Sequence, residues 1–169
     1  MAVRISLRDY QRELSERLKG AAAGGAASRL GVQAGAEAWL VSLADAGEVI
    51  PAPAITPVPL TKTWFRGVAN IRGKLYGVVD FPAFLGGAPV APGEQVRLLL
   101  LGEKFRMGSA LLVDRLLGLR GAEHFQARPL AGGGAPWLKG EYGDKDGKQW
   151  KELDVPRLVQ DPTFLEVAA

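Results

Sequence analysis

The chain has 169 residues, of which 47% are hydrophobic and 23% charged, the ordinary balance of a globular protein. Cysteine is absent, which excludes disulfides, thiolate metal sites and cysteine nucleophiles together. The net charge is +3, from 21 basic and 18 acidic residues that are scattered rather than gathered into the stripe typical of nucleic-acid binders. Arg4, Arg8 and Asp9, with no apolar segment directly after them, are not the pattern expected of a secretory signal, and no apolar run approaches the roughly 20 residues that span a bilayer. A cytoplasmic location is expected.

The first 27 residues differ in composition from the rest of the chain. Ser6 can cap a helix, and apolar residues then recur at spacings of three or four, which gives one apolar stripe (Leu7, Tyr10, Leu14 and Leu18). A helix over residues 1–19 is predicted, and the Ala/Gly-rich stretch 20–27 is predicted to be a linker. The stripe favours packing on the helix's own domain, and docking on a partner is the alternative. Residues 28–169 are predicted to form one domain.

Strand signals begin directly after the linker. Arg29 to Val41 alternates and turns like a β-hairpin. A proline-rich stretch over residues 51–59 follows, and it excludes a helix or a central strand, so an extended surface connection is predicted. Phe65–Ile71 and Leu75–Phe81 form a second predicted hairpin, joined at Arg72 and Gly73, where glycine permits the positive φ of a tight turn.

The second half of the chain continues the same pattern. Val96 to Leu101 is a nearly continuous apolar run, which predicts a strand buried on most sides. Residues 137–142 and 148–153 form a last predicted hairpin around the turn GDKDG. Asp154 is predicted to cap a short C-terminal helix that Asp161 and Pro162 end. Many short strands with frequent turns predict a mainly β fold, either barrels or a sandwich.

The sequence offers little for catalysis. His124 is the only histidine, and no GxSxG nucleophile motif accompanies it. The stretch DKDG imitates the start of a calcium loop, but Lys148 and Val155 stand at the fifth and twelfth positions, where such a loop needs oxygen ligands. Neither a GxxxxGK[ST] phosphate loop nor a GxGxxG motif after a strand occurs. No catalytic residue, metal site or cofactor is predicted.

Two charged residues stand in the most hydrophobic hairpin, which reads GVANIRGKLYGVVDF over residues 67–81. A buried arginine is tolerable only with several acceptors around it, so Arg72 is predicted to be buried and bonded to backbone carbonyls of adjoining loops. The alternative is that Arg72 lines a recognition groove. Asp80, at the far end of the returning strand, is predicted to cap a turn.

The stretch RGVANIRGKLYGVVDF resembles the signature of CheW-type chemotaxis coupling proteins. Glu48-Val49, Pro59 and Val113-Asp114 fall in the family's order. KTWFRGVANIRG and the C-terminal LVQDPTFLEVA are similar to the family's twitching-motility subgroup in particular. The resemblance covers Ser28 to the end, with two departures, Gly77 where the family has proline and Phe81 where it has leucine.

This resemblance implies a fold and a role. The expected fold is CheW-like, with two small SH3-like β-barrels that share a hydrophobic core. The expected role is a non-catalytic adaptor between the cytoplasmic tip of a methyl-accepting chemoreceptor and the regulatory domain of a sensor histidine kinase, recruited to membrane-associated receptor arrays and controlling type IV pilus twitching motility. Carried over by position, the kinase contact comprises Glu48, Val49, Arg66 and Gly67, and the receptor groove comprises Asn70, Arg72 and Leu112.

Two other classes of protein remain as alternatives. A small β-barrel nucleic-acid-binding protein would account for the basic isoelectric point, but it would expose aromatic residues among lysines and arginines on one sheet face. Most aromatics here stand in apolar runs instead. An enzyme working through His124 would lose its activity in His124→Ala.

Overall fold

The fold, in a computed structural model that describes residues 11, 28–130 and 134–169, is mainly β. Three four-residue helices accompany the strands: α1 (Phe81–Phe84), α2 (Val155–Leu158) and α3 (Pro162–Leu165). The strands are β1 (Arg29–Ala34), β2 (Glu37–Ser42), β3 (Ala46–Pro51), β4 (Phe65–Ile71), β5 (Lys74–Asp80), β6 (Arg97–Leu101), β7 (Ser109–Val113), β8 (Arg115–Arg120), β9 (Gln126–Arg128), β10 (Leu138–Gly143) and β11 (Gln149–Leu153).

The strands form two sheets. The first has the order β8-β1-β2-β11-β10-β9, and the second has the order β3-β6-β7-β5-β4. All three predicted hairpins are present as the antiparallel pairs β1–β2, β4–β5 and β10–β11. Two pairs are parallel, β2 with β11 and β5 with β7, so each sheet joins strands that lie far apart in the sequence.

One hydrophobic core lies between the two sheets. Strands of the first sheet contribute Val32 and Trp39, and strands of the second contribute Leu99 and Leu111. The C-terminal helices close this core with further apolar side chains (Val155, Leu158 and Phe164). A shared core between two β halves, as the resemblance implied, is therefore present. Because it draws on both sheets, neither half could bury its apolar face alone.

Each sheet also buries apolar residues on its other face. In β6, Leu98 and Leu100 pack into a second cluster with Tyr76, while Leu99 and Leu101 face the shared core. The strand is buried on both faces, which explains its continuous apolar run and confirms the prediction for residues 96–101. On the first sheet, Trp150 is the centre of a smaller cluster.

A polar network is buried in the first sheet. The carboxylate of Glu152, which is buried, lies 3.0 Å from the Nε of Arg29 and accepts a hydrogen bond of 2.8 Å from the Tyr142 hydroxyl. Burial, and then the bond to Glu152, raises the pKa of Tyr142. Both carboxylate oxygens of Glu152 therefore have polar partners, which offset the cost of burying its charge in the sheet.

Aspartates begin all three short helices. Asp154 caps α2, as predicted, by accepting from the backbone N–H of Arg157, and Pro156 stands in the first turn. The prediction for Asp161 is wrong, since α2 already ends at Leu158 and Asp161 caps a further helix by accepting from the N–H of Thr163. An Asp-Pro pair stops a preceding helix and starts a new one equally well, because proline suits the first turn.

The two departures from the family pattern fit their positions. Gly77 donates its N–H to the carbonyl of Gly108 at 2.8 Å, a bond that proline could not make. Phe81 is fully buried and packs edge-on against Trp39, with ring centroids 5.3 Å apart. Both residues therefore stabilise the fold locally.

The predicted N-terminal helix and linker lie outside the described residues, except for Gln11, which has helical backbone. Among the residues that the structure describes, no helix is long and apolar enough to cross a membrane.

Candidate docking surface

The β4–β5 hairpin turns through two residues. Arg72 and Gly73 both have positive φ, 54° and 82°, which is the pattern of a type I′ turn that matches the twist of the strands. The side-chain oxygen of Asn70 accepts from the N–H of Gly73 at 2.9 Å and fixes the turn. The hairpin therefore presents Asn70 and Arg72 at its solvent-exposed end.

The prediction that Arg72 is buried is wrong. Its side chain is 64% exposed, and its guanidinium forms a hydrogen-bonded ion pair with the carboxylate of Glu48 rather than bonds to carbonyls. This hydrogen bond, together with the attraction of the two charges, raises the pKa of Arg72. The turn places Arg72 past the end of the buried strand, where water solvates its guanidinium.

Arg72→Ala is accordingly expected to leave the melting temperature essentially unchanged. Exposed ion pairs contribute little to stability, because water and salt screen them and the side chains lose entropy on pairing. Thermal unfolding followed by circular dichroism checks this. A marked fall in the melting temperature would show that the arginine carries structural contacts besides Glu48.

Asp80, in contrast to the exposed Arg72, has a fully buried side chain. Its carboxylate caps α1 by accepting from the N–H of Ala83 at 3.1 Å and accepts a second bond, of 2.9 Å, from the N–H of Val90. Arg66 stands 3.7 Å away as counter-charge. The prediction that Asp80 caps a turn is thus confirmed.

Gly67 lies beneath a neighbouring segment. Thr56 forms an isolated bridge with Val68 through two backbone hydrogen bonds, of 2.8 and 2.9 Å. A Cβ on Gly67 would overlap the carbonyl oxygen of Thr56 and lie 2.7 Å from its carbonyl carbon, and φ is +129°. Glycine at this position is therefore required by the close approach of the two backbones.

The structure brings some of the predicted contact residues together and separates others. Glu48 and Arg72 line one pocket of about 350 Å³, whose floor includes Tyr76 and whose rim carries Lys74. Leu112, in contrast, is 2% exposed in the second sheet's own core. Any influence of Leu112 on a docking groove must pass through packing, since its side chain does not reach the surface.

The other predicted contact residues belong to both edge strands of the second sheet. Val49, on β3, is half-buried and packs against the shared core. Arg66, on β4, is half-buried beside Asp80. The two predicted docking regions therefore share a sheet, and the Glu48–Arg72 pair links its edge strand β3 to the β4–β5 turn.

Sequence reasoning missed one contact of Glu48. The side-chain amide of Gln11 donates a hydrogen bond to its carboxylate, so Glu48 has partners on two sides. No local pattern could reveal this, because the two residues are 37 positions apart.

The fold and this surface define a small β-domain with a polar, charge-rimmed face suited to protein–protein contact. Residues 29–163 match the CheW-like domain family. The chain is 30% identical over 148 residues to protein PilI of Pseudomonas aeruginosa, and the alignment covers 83% of this chain and 80% of that protein. The chain therefore belongs to the CheW-like family.

A solved structure shares the fold. The scaffolding protein TtCheW from Thermoanaerobacter tengcongensis superimposes with a TM-score of 0.64 at 19% identity, covering 76% of this chain and 88% of that one. Proteins of this family are non-catalytic adaptors, which confirms the prediction that the chain is an adaptor and not an enzyme. The likeness to PilI is confirmed as well.

Proposed function

We propose that this protein couples a methyl-accepting chemoreceptor to a sensor histidine kinase in the system that controls type IV pilus twitching motility. Its likeness to PilI over most of the chain supports the motility assignment. The observation that carries the coupling role is the Glu48–Arg72 ion pair, which joins a residue expected to contact the kinase to one expected to contact the receptor. When the kinase and the receptor dock on the same sheet, a change at one contact can alter the other contact through this ion pair.

The same pair supports the implied barrel architecture. Glu48 belongs to β3 and Arg72 follows β4, the two edge strands of the second sheet. An ion pair between them requires the sheet to curl until its edges approach. We therefore infer that each sheet, wrapped around its own apolar cluster, is an SH3-like barrel. From the adaptor role we further infer that the protein acts in the cytoplasm at receptor arrays.

Reversing the charge of Glu48 tests the kinase contact. Glu48→Lys is expected to weaken binding of the kinase regulatory domain at least tenfold, because it reverses the charge at the expected contact. Isothermal titration with the purified domain measures the affinity, and circular dichroism checks the fold.

A charge-swap variant separates docking from the internal ion pair. Glu48→Lys combined with Arg72→Glu restores an ion pair of reversed sign, so it should repair any local disturbance without restoring kinase affinity. Recovery of full affinity in the swap would mean that only the pair matters and that the kinase does not contact Glu48. A folded wild-type protein with no affinity for any kinase regulatory domain or receptor tip would refute the proposed function.

A further inference from the structure

Leu60 is the most exposed large apolar residue among those that the structure describes, with 87% of its surface in solvent. Its φ is +58°, in the left-handed region that residues other than glycine, asparagine and aspartate rarely adopt. It follows Pro59 in a turn, at a position where such turns usually carry glycine. An apolar side chain is thus held in water on a strained backbone, and the shared core gains nothing from it.

The surroundings of Leu60 fix this conformation. The hydroxyl of Thr61 donates to the carbonyl of Val58 at 2.8 Å and closes the turn. The C-terminal residues also bind the turn. The N–H of Ala169 donates to the carbonyl of Leu60 at 2.9 Å, and Thr61 forms a β-bridge with Ala168. The turn is therefore rigidly presented, and strain that persists in this way often marks a functional position.

The turn belongs to the segment that covers a predicted kinase contact. Gly67 is buried beneath the backbone of Thr56 and Pro57, so a partner approaching Gly67 first meets these two residues, which lead directly into the turn at Leu60. Arg66, the neighbouring predicted contact, keeps 36% of its side chain exposed. The surface available around Gly67 is therefore Arg66 and the segment that leads into the turn.

We propose that Leu60 is an apolar anchor that inserts into an apolar pocket of the kinase regulatory domain. This inference rests on the proposed function and specifies the contact that the kinase makes near β4. Binding energy in protein interfaces concentrates in a few side chains that become fully desolvated in a partner's pocket. An anchor already held in its bound conformation loses little further entropy on docking, which favours affinity.

A protein partner suits this feature better than a membrane surface. Peripheral membrane segments combine a broad apolar face with several cations. Over residues 56–63 the exposed large hydrophobic side chains are Leu60 and, less so, Val58, beside two exposed prolines, and Lys62 is the one basic residue. A single protruding leucine matches the size of one pocket in a protein.

Leu60→Asn tests the anchor. Asparagine tolerates positive φ, so the variant should unfold at the same or a higher temperature than the wild type, while it lacks the apolar side chain. We expect its affinity for the kinase regulatory domain to fall about tenfold or more in isothermal titration. Leu60→Met, which keeps an apolar side chain, should bind within a few-fold of the wild type. Leu165→Asn, at a leucine that is 50% exposed on α3, should bind like the wild type.

The outcomes separate this inference from the proposed function. Wild-type affinity in Leu60→Asn, alongside weakened binding in Glu48→Lys, would overturn the anchor and leave the coupling role standing. Equal losses in Leu60→Asn and Leu165→Asn would also overturn it, because the effect would not be specific to the turn. Vesicles of anionic phospholipid that retain the wild type but not Leu60→Asn would assign the leucine to a membrane instead. Failure of the wild type to bind the kinase domain would overturn both proposals.

Discussion

Gly67→Ala is expected to destabilise the protein by about 3–5 kcal/mol, although it adds a single methyl group. The new Cβ would overlap the carbonyl of Thr56 and force the two backbones apart. The two hydrogen bonds between Thr56 and Val68 would then lengthen or break, and alanine would also be strained at the φ of +129°. For a chain of 169 residues this corresponds to a fall in melting temperature of roughly 10 °C.

Gly73→Ala is the matched control. Gly73 also has positive φ, +82°, but nothing lies within 4 Å of the position that a Cβ would occupy, so the substitution should cost only about 1 kcal/mol of conformational strain. Urea unfolding of both variants, followed by tryptophan fluorescence, gives the two free energies. Similar values for the two would show that the segment at Thr56 yields easily and that conformational strain alone requires the glycine.

The contrast between these glycines shows what local sequence can reveal. Gly73 could be assigned from its neighbours, because Arg72-Gly73 between two apolar runs is a hairpin turn. Gly67 could be placed on a strand but its necessity could not be predicted, because the obstructing carbonyl belongs to Thr56, on a segment whose prolines indicated only an extended connection. Short-range patterns determine turns and strand faces, whereas close approach between distant segments depends on the assembled fold.

The same limit explains the wrong prediction for Arg72. Hydropathy placed it in an apolar hairpin and therefore suggested burial, but the turn carries it beyond the core to Glu48, 24 positions away. The prediction for Asp80 succeeded because its capping partner, Ala83, follows within the same local motif. Even there the second bond, to Val90, depends on a loop that folds back ten residues later. For Leu60, the preceding Pro59 could indicate a turn, but the contact with Ala169 lies far along the chain and no local pattern shows it.

Asp80→Ala is expected to cost about 3–5 kcal/mol, because it removes the acceptor of two backbone N–H groups, those of Ala83 and Val90. The donor of Val90 would stay buried without a partner, and the loop that leads back to the second sheet's core would loosen. Arg66 would also lose its counter-charge. Urea unfolding measures the loss, and a change in the slope of the unfolding free energy with urea would report loosening of the native state.

Asp154→Ala provides the comparison, because Asp154 likewise caps a four-residue helix with proline in its first turn. Its carboxylate is partly exposed and caps α2 through the one N–H of Arg157, so its loss should cost about 1 kcal/mol, the usual value of an N-cap. Asp80→Asn should fall between the two, because the amide keeps one acceptor oxygen but cannot serve both donors. If Asp80→Ala costs no more than Asp154→Ala, the bond to Val90 contributes nothing, and the hairpin's aspartate is an ordinary helix cap whose burial is incidental.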